Sequence, residues 1–429
     1  METARLPHSY FLNTRNLPKF QIDSSHPNTM NKLLICLCVI ALSLKASAQD
    51  NTGIRFTEGG FEAAAQRAKA EKKPIFLHAY ASWCHYCKSM SDSIYTDKEV
   101  AEFFNSNFIP VKMDMEQEGR EMNKRLKVKT FPTLVFFDYN GLGMTHRESG
   151  KKGKEEFLQL GKEALDTTKQ LRTFERRYYN KTATVSEITT YFKMLDKAGL
   201  DNQAPINSYL DGLSDQQMLQ YENWRIMYDL FKEVELSSFQ KVMGLRREYE
   251  KKYTADSIDN KIISLYMTAL MSRVQKLDTA GYDNMMTKLK KSGLDLTEKI
   301  MDFAELNKAK MKSDWKTYQQ LAVPFIEKHC LQDYRRLNEV AYNFYERVND
   351  TLLISKAIIW AEKAVALQDN IRNNHTLASL YYKAGRKKKA KATCLHTMEI
   401  AKRLNVDYKQ STLLLDKVEE LKDEDGVCK

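Results

Sequence analysis

The feature that most narrows the possible folds is a change of hydrophobic period near residue 165. Before it, short apolar runs alternate with stretches rich in Ala, Glu, Lys and Arg. After it, Gly and Pro thin out and apolar residues recur at helical spacing almost to the end. Short apolar runs bounded by Pro, Gly or Asp predict buried strands, and strands that alternate with helices predict an α/β sheet. The chain has 429 residues, enough for two or three domains. The pattern predicts an α/β domain over residues 49–165 and an all-α domain over residues 166–429.

The elements of the first domain can be placed one by one. Residues 61–71 read as a helix that Pro74 stops. Ile75–Tyr80 reads as a buried strand, and a helix opens at Cys84 and continues through Met90. Residues 108–113 form a second strand. Asp114 stands where a helix would start, and residues 116–126 form that helix. Residues 133–138 are a third strand, and Asn140-Gly141 is a strong two-residue hairpin signal. A weaker strand over 144–148 and a helix over 154–165 close the unit.

Upstream, residues 1–29 are polar and without a period. Met30-Asn31-Lys32 then leads into an apolar run over 33–44, followed by Lys45-Ala46-Ser47-Ala48-Gln49. A short basic start, an apolar run and an A-x-A site make a secretory signal. The expected true start is Met30 and the expected cleavage point follows Ala48, which puts the mature chain in the periplasm or outside the cell. The run falls short of the roughly 20 apolar residues a membrane span needs. No stable span is expected after cleavage, a retained anchor being the alternative. Cys36 and Cys38 sit inside the run with too little apolar sequence before them for lipid attachment.

The formal net charge is +11, and the basic residues are scattered. The densest run, Arg386-Lys387-Lys388-Lys389, reads as a solvated helix start, and no nucleic-acid partner is expected. Of seven cysteines, five lie beyond the signal: Cys84, Cys87, Cys330, Cys394 and Cys428. So sparse and odd a set is no disulfide framework. Only Cys84 and Cys87 are close together, and C-x-x-C beside a strand–helix pattern reads as a redox centre.

Two stretches carry a resemblance. Trp83-Cys84-His85-Tyr86-Cys87-Lys88 and Val128-Lys129-Thr130-Phe131-Pro132-Thr133 resemble the thioredoxin family. The implied whole is an α/β thioredoxin fold followed by an all-α helical-repeat domain. At a helix N-terminus, unpaired N–H groups and the helix dipole would stabilise a Cys84 thiolate, the nucleophilic form. Cys87, one turn on, would resolve the mixed disulfide. Trp83 would pack beside the pair. The alternative for the two cysteines is half of a zinc site with His85 as a third ligand, but zinc needs four and there is no second C-x-x-C.

The resemblance also implies a cis bond at Pro132, with the backbone of Phe131 offered to a client strand; an ordinary trans turn is the other reading. Two departures from the family pattern stand out. His78 occupies the strand position where many thioredoxins bury an Asp, and that acid's usual Lys partner would fall near Pro110. His78 either accepts the resolving cysteine's proton or is a satisfied interior histidine. His85-Tyr86 replaces the Gly-Pro dipeptide, and a protonated His85 would make the disulfide more oxidising. Whether the protein oxidises, reduces or isomerises is left open.

In the helical region, Ala357, Ala361, Ala364 and Leu367 line one face. They precede Leu377-Ala378-Ser379-Leu380-Tyr381-Tyr382-Lys383-Ala384-Gly385 and Ala390. This resembles tetratricopeptide repeats over about 337–400, with an earlier copy through Val340, Ala341, Phe344 and Tyr345. Asn374 and Thr397 depart from that pattern. Stacked repeats present concave surfaces to peptides or proteins; a plain stabilising or dimerising helical cap is the alternative.

The expected function is that of an exported thiol–disulfide oxidoreductase. Its clients are proteins with cysteines or disulfides, it exchanges with an unidentified redox partner, and it needs no cofactor or metal beyond the cysteine pair. The alternative is a helical-repeat adaptor whose first domain mainly binds partners.

Overall fold

The computed structural model describes residues 53–141 and 143–421. The signal-like run, the expected cleavage point, Cys36, Cys38 and Cys428 lie outside the described residues. The chain divides into two compact units, one ending at Phe231 and one starting at Lys232.

The first unit opens with α1 (Gly60–Glu71), β1 (Ile75–Tyr80) and α2 (His85–Ser89), which continues as one π-helical turn, Met90–Ile94. Then follow α3 (Lys98–Asn107), β2 (Ile109–Asp114), α4 (Arg120–Leu126), β3 (Thr133–Phe137), β4 (Met144–Ser149) and α5 (Lys154–Leu165). The sheet order is β2-β1-β3-β4. β1 runs parallel to β2 and antiparallel to β3, and β3 runs antiparallel to β4. β1 and β3 are almost wholly buried, as central strands covered on both faces must be.

Alternation along β1 divides the core in two. Phe76 faces a cluster with Phe104, Phe108, Phe136 and Phe157, in which the Phe104 and Phe157 rings stack at 4.1 Å. Ile75, Leu77 and Ala79 face the other way, onto Ala64 and Ala68 of α1. The hairpin joining β3 to β4 turns at Gly141, whose φ of 69° is the left-handed conformation that a side chain disfavours.

Two expectations change. The helix expected over 116–126 forms only at Arg120–Leu126. Asp114 does not start it: it ends β2, and its side chain caps the turn that follows. The expectations also lacked α3, whose N-terminus is capped by the Asp97 carboxylate accepting from the backbone of Glu99 and Val100.

Helices α6 (Leu171–Tyr179), α7 (Val185–Lys197), α8 (Gln203–Asp211), α9 (Asp215–Met218) and α10 (Tyr221–Leu230) complete the first unit. α6 and α7 pack on β4, whose His146 Nδ1 accepts the Leu171 N–H at 3.2 Å. β4 reads weakly as a strand because it is polar; it is buried because these helices cover it. The boundary expected at 165/166 therefore lies inside the first compact unit, although the sheet itself ends before it.

The second unit is helical throughout its described residues. It comprises α11 (Ser237–Gly244), α12 (Arg246–Lys252), α13 (Ala255–Gln275), α14 (Thr279–Lys291), α15 (Thr297–Met311) and α16 (Trp315–His329). These are followed by α17 (Tyr334–Arg347), α18 (Thr351–Leu367), α19 (Ile371–Lys383), α20 (Lys387–Leu404) and α21 (Lys409–Glu419). From α15 onward each helix packs on the next. Ala357, Ala361, Ala364, Ala378, Ala390 and Cys394 are buried in these contacts, where small side chains let the helices approach. No helix among the described residues is long and apolar enough to cross a membrane.

Candidate active site

The site forms where β1 ends. Cys84 is the N-cap of α2, and its Sγ accepts the Cys87 backbone N–H at 3.1 Å. The preceding turn is held by the Cys84 N–H donating to the Ala81 carbonyl at 2.9 Å. Cys84 and Cys87 are joined as a disulfide, with Cα atoms 5.3 Å apart. No third His, Cys, Asp or Glu joins them at metal-ligand spacing among the described residues.

Trp83 and Tyr86 are 69% and 61% exposed, while both cysteines are at least 95% buried. Two aromatic rings thus flank a recessed disulfide. His85 is exposed as well, its ring 6.1 Å from that of Tyr86. Tyr80 and Phe131 pack against the cysteines, and Phe131 meets Trp83 edge-on at 5.8 Å.

The Phe131–Pro132 peptide is cis. The Pro132 carbonyl accepts the Gly150 N–H at 2.8 Å, and the Thr133 hydroxyl donates to the Thr130 carbonyl at 2.7 Å, fixing the loop. The backbone of Phe131 makes no hydrogen bond among the described residues, which leaves its N–H and C=O free for an incoming extended strand.

Sequence reasoning missed the residues that brace the turn before Cys84. Asp114 is buried and accepts the backbone N–H groups of Ser82 and Glu116, each at 2.9 Å. The Asp114 N–H donates to Glu118 at 2.8 Å. Glu116 accepts the Trp83 indole N–H at 2.8 Å. Partial burial, Glu118 and Asp114 together raise the pKa of the Tyr80 hydroxyl. A signal was available: in a parallel pair, functional groups gather beyond the carboxyl ends of the strands, and Asp114 ends the strand beside β1.

His78 is 1% exposed, and neither ring nitrogen has a hydrogen-bond partner. Burial, aided by the Lys112 charge, lowers its pKa to about 3. The imidazole is therefore neutral, and it hydrogen-bonds neither sulfur. The sheet register also corrects the expected partner position: Lys112, not Pro110, lies opposite His78, and Pro110 lies opposite Phe76.

A second group with metal-ligand spacing, His146, Glu148 and Glu163, joins β4 to α5. Glu148 is already paired with Lys152 and Lys197, and Nδ1 of His146 is occupied by the Leu171 N–H.

Comparison with known proteins agrees with this geometry. The family model Thioredox_DsbH, described as a protein of unknown function, DUF255, matches residues 49–127. A thioredoxin-like protein of Synechocystis is 29% identical over 113 residues, covering 26% of this chain and 95% of that protein. Residues 49–127 of the chain are thioredoxin-like. This thioredoxin-like chain is also 31% identical over 96 residues to the thiol:disulfide interchange protein DsbD of Yersinia pestis, covering 21% of the chain but only 16% of DsbD. A solved DsbH oxidoreductase is 25% identical, covers 28% of this chain and 92% of its own, and has a TM-score of 0.24. The thioredoxin-like domain and its cysteine pair make the protein a thiol–disulfide oxidoreductase.

Proposed function

We propose that the protein is an exported oxidoreductase that exchanges dithiols and disulfides with cysteine-bearing client proteins through Cys84 and Cys87. The observation that carries this reading is the placement of Cys84. Its sulfur caps a helix N-terminus, accepts the Cys87 N–H and is set between exposed aromatic rings. Backbone donors at that point favour the thiolate, the form that attacks and the form that leaves best.

In the oxidised state a client thiolate attacks Cys84 Sγ, the Cys84–Cys87 bond breaks, and Cys87 departs as a thiolate. A second client thiolate then attacks the client sulfur of the mixed disulfide and releases Cys84. The client is oxidised by two electrons and the pair reduced by two. The reverse sequence reduces a client disulfide, with a separate dithiol partner restoring the pair. Phe131 supplies backbone groups to the client, and Trp83 and Tyr86 supply apolar contact. The site needs no cofactor.

Export is supported by the signal-like sequence ending at Ala48. The stacked helices α17–α20, which cover the region resembling tetratricopeptide repeats, serve in this reading as the surface that recruits clients.

Insulin reduction by the full chain and by Cys84→Ser tests the assignment. Wild type accelerates precipitation of the insulin B chain and Cys84→Ser does not. Equal, negligible activity in both would return the chain to an adaptor role.

A further inference from the structure

We propose that the second unit contains a binding site for an organic carboxylate with an apolar body. The observation is a cavity of about 830 Å³ between α11, α12, α13 and α14, in the size range of pockets for drug-sized ligands. Its apolar lining is Met243, Tyr266 and Leu294, each partly exposed, backed by buried Phe239 and Met285; the Tyr266 ring meets Phe239 edge-on at 5.7 Å.

The charges on its wall are of two kinds. Arg246 is a fixed staple, contacting Glu250 at 2.9 Å, Asp259 at 2.7 Å and Asp295 through both carboxylate oxygens. It ties α12 to α13 and to the turn before α15, so the wall is preformed. Glu235 is held by Arg273 at 2.9 Å. Every acid lining the cavity is thus engaged by a guanidinium group. Two cations of the lining, Arg247 and Lys288, have no ion pair or hydrogen bond among the described residues, and both are exposed.

A lining that combines partly exposed apolar side chains with two unengaged cations matches a ligand that carries a carboxylate at one end and hydrocarbon at the other. The hydrocarbon displaces water from Met243, Tyr266 and Leu294, and the carboxylate accepts charge-assisted hydrogen bonds from Arg247 and Lys288.

Isothermal titration of the full chain with octanoate, octanol and octylammonium, at concentrations well below micelle formation, tests this. Octanoate is expected to bind at least about tenfold more tightly than either comparison compound, the effect of one charge-assisted contact. Arg247→Ala and Lys288→Ala should each weaken it severalfold while leaving thermal unfolding unchanged, since neither side chain has a partner to lose. Hydrogen exchange should slow over residues 246–252 and 279–291 on binding. Absence of octanoate binding, equal binding of octanol, tighter binding of octylammonium, or an affinity that Arg247→Ala/Lys288→Ala leaves unchanged each overturns the proposal.

Discussion

The Trp83 indole donates to the Glu116 carboxylate at 2.8 Å, so the ring beside the disulfide is held by a residue that lies beyond β2. The loop carrying Glu116 is itself tied to the motif, because Asp114 accepts the Ser82 N–H. A side chain that is 69% exposed would otherwise sample several rotamers. Removing the acceptor in Glu116→Ala should lower kcat/KM for insulin reduction about two- to fivefold, the weight of one partly solvated hydrogen bond to a charged group. Glu116→Gln keeps an acceptor oxygen and should stay close to wild type. Stopped-flow measurement of the first exchange step checks both, and identical losses in the two variants would show that charge rather than ring position matters.

The two cysteines should differ in how they trap clients. In Cys87→Ser, Cys84 can still form a mixed disulfide but nothing within the chain resolves it. Non-reducing electrophoresis of reduced Cys87→Ser mixed with an oxidised client should show a covalent adduct that reductant removes. Cys84→Ser should give little or none, because Cys87 is buried and lies within α2 rather than at the N-cap that favours a thiolate.

His78 links the core to acid stability. Its pKa is about 3 in the folded chain, against an ordinary value of 6.5, because burial disfavours the cation and Lys112 opposes it. The unfolded chain therefore binds a proton that the folded chain refuses, and stability falls as pH drops from about 6.5 towards 3. The slope approaches about 1.4 kcal/mol per pH unit for one such group. Above pH 7 the contribution vanishes. Denaturant unfolding at pH 7 and pH 4.5 should show a clear acid loss in wild type and a smaller one in His78→Gln, which cannot take up a proton. Equal losses in both would mean that other groups govern the acid limb.

The chemistry of the site was legible in residues close together in sequence. Cys84, Cys87, Trp83, Phe131 and Pro132 fall in two short motifs, and the structure brings both motifs together at the end of β1. What escaped were contacts between distant segments. Glu116 and Asp114 read as the start of a helix because their run is polar and helix-compatible, yet the strand ends at Asp114 and turns there. β4 reads weakly because its polarity suits an exposed strand, whereas α6 and α7 bury it. The position opposite His78 required the β1–β2 register, which periodicity alone leaves unfixed.

Packing of α5 makes a separate forecast. A Cβ added at Gly161 would come 2.6 Å from Phe103 Cε1 and 3.0 Å from Phe104 Cζ. Phe104 is itself stacked on Phe157 and cannot yield freely. Although alanine is the better helix former, Gly161→Ala should destabilise the protein by about 1–3 kcal/mol through overpacking. A lower midpoint of denaturation with an unchanged slope would report it. A stabilised variant would show that the two rings can move aside.

The other two thiols among the described residues, Cys330 and Cys394, should stay silent where the redox pair reacts. Burial raises the pKa of the Cys330 thiol to about 12 and that of Cys394 to about 11. At neutral pH almost none of either is thiolate, and both are essentially inaccessible to reagent. Cys84 differs in lying at a helix N-terminus, where backbone N–H groups favour the thiolate, between the exposed rings of Trp83 and Tyr86. After mild reduction, iodoacetamide at pH 7 should label Cys84 fastest, with Cys330 and Cys394 modified only after unfolding. Peptide mapping over a time course measures this. Modification of Cys394 at a rate near that of Cys84 in the native protein would mean that the helices around it open readily, and the buried packing of α18–α20 would have to be revised.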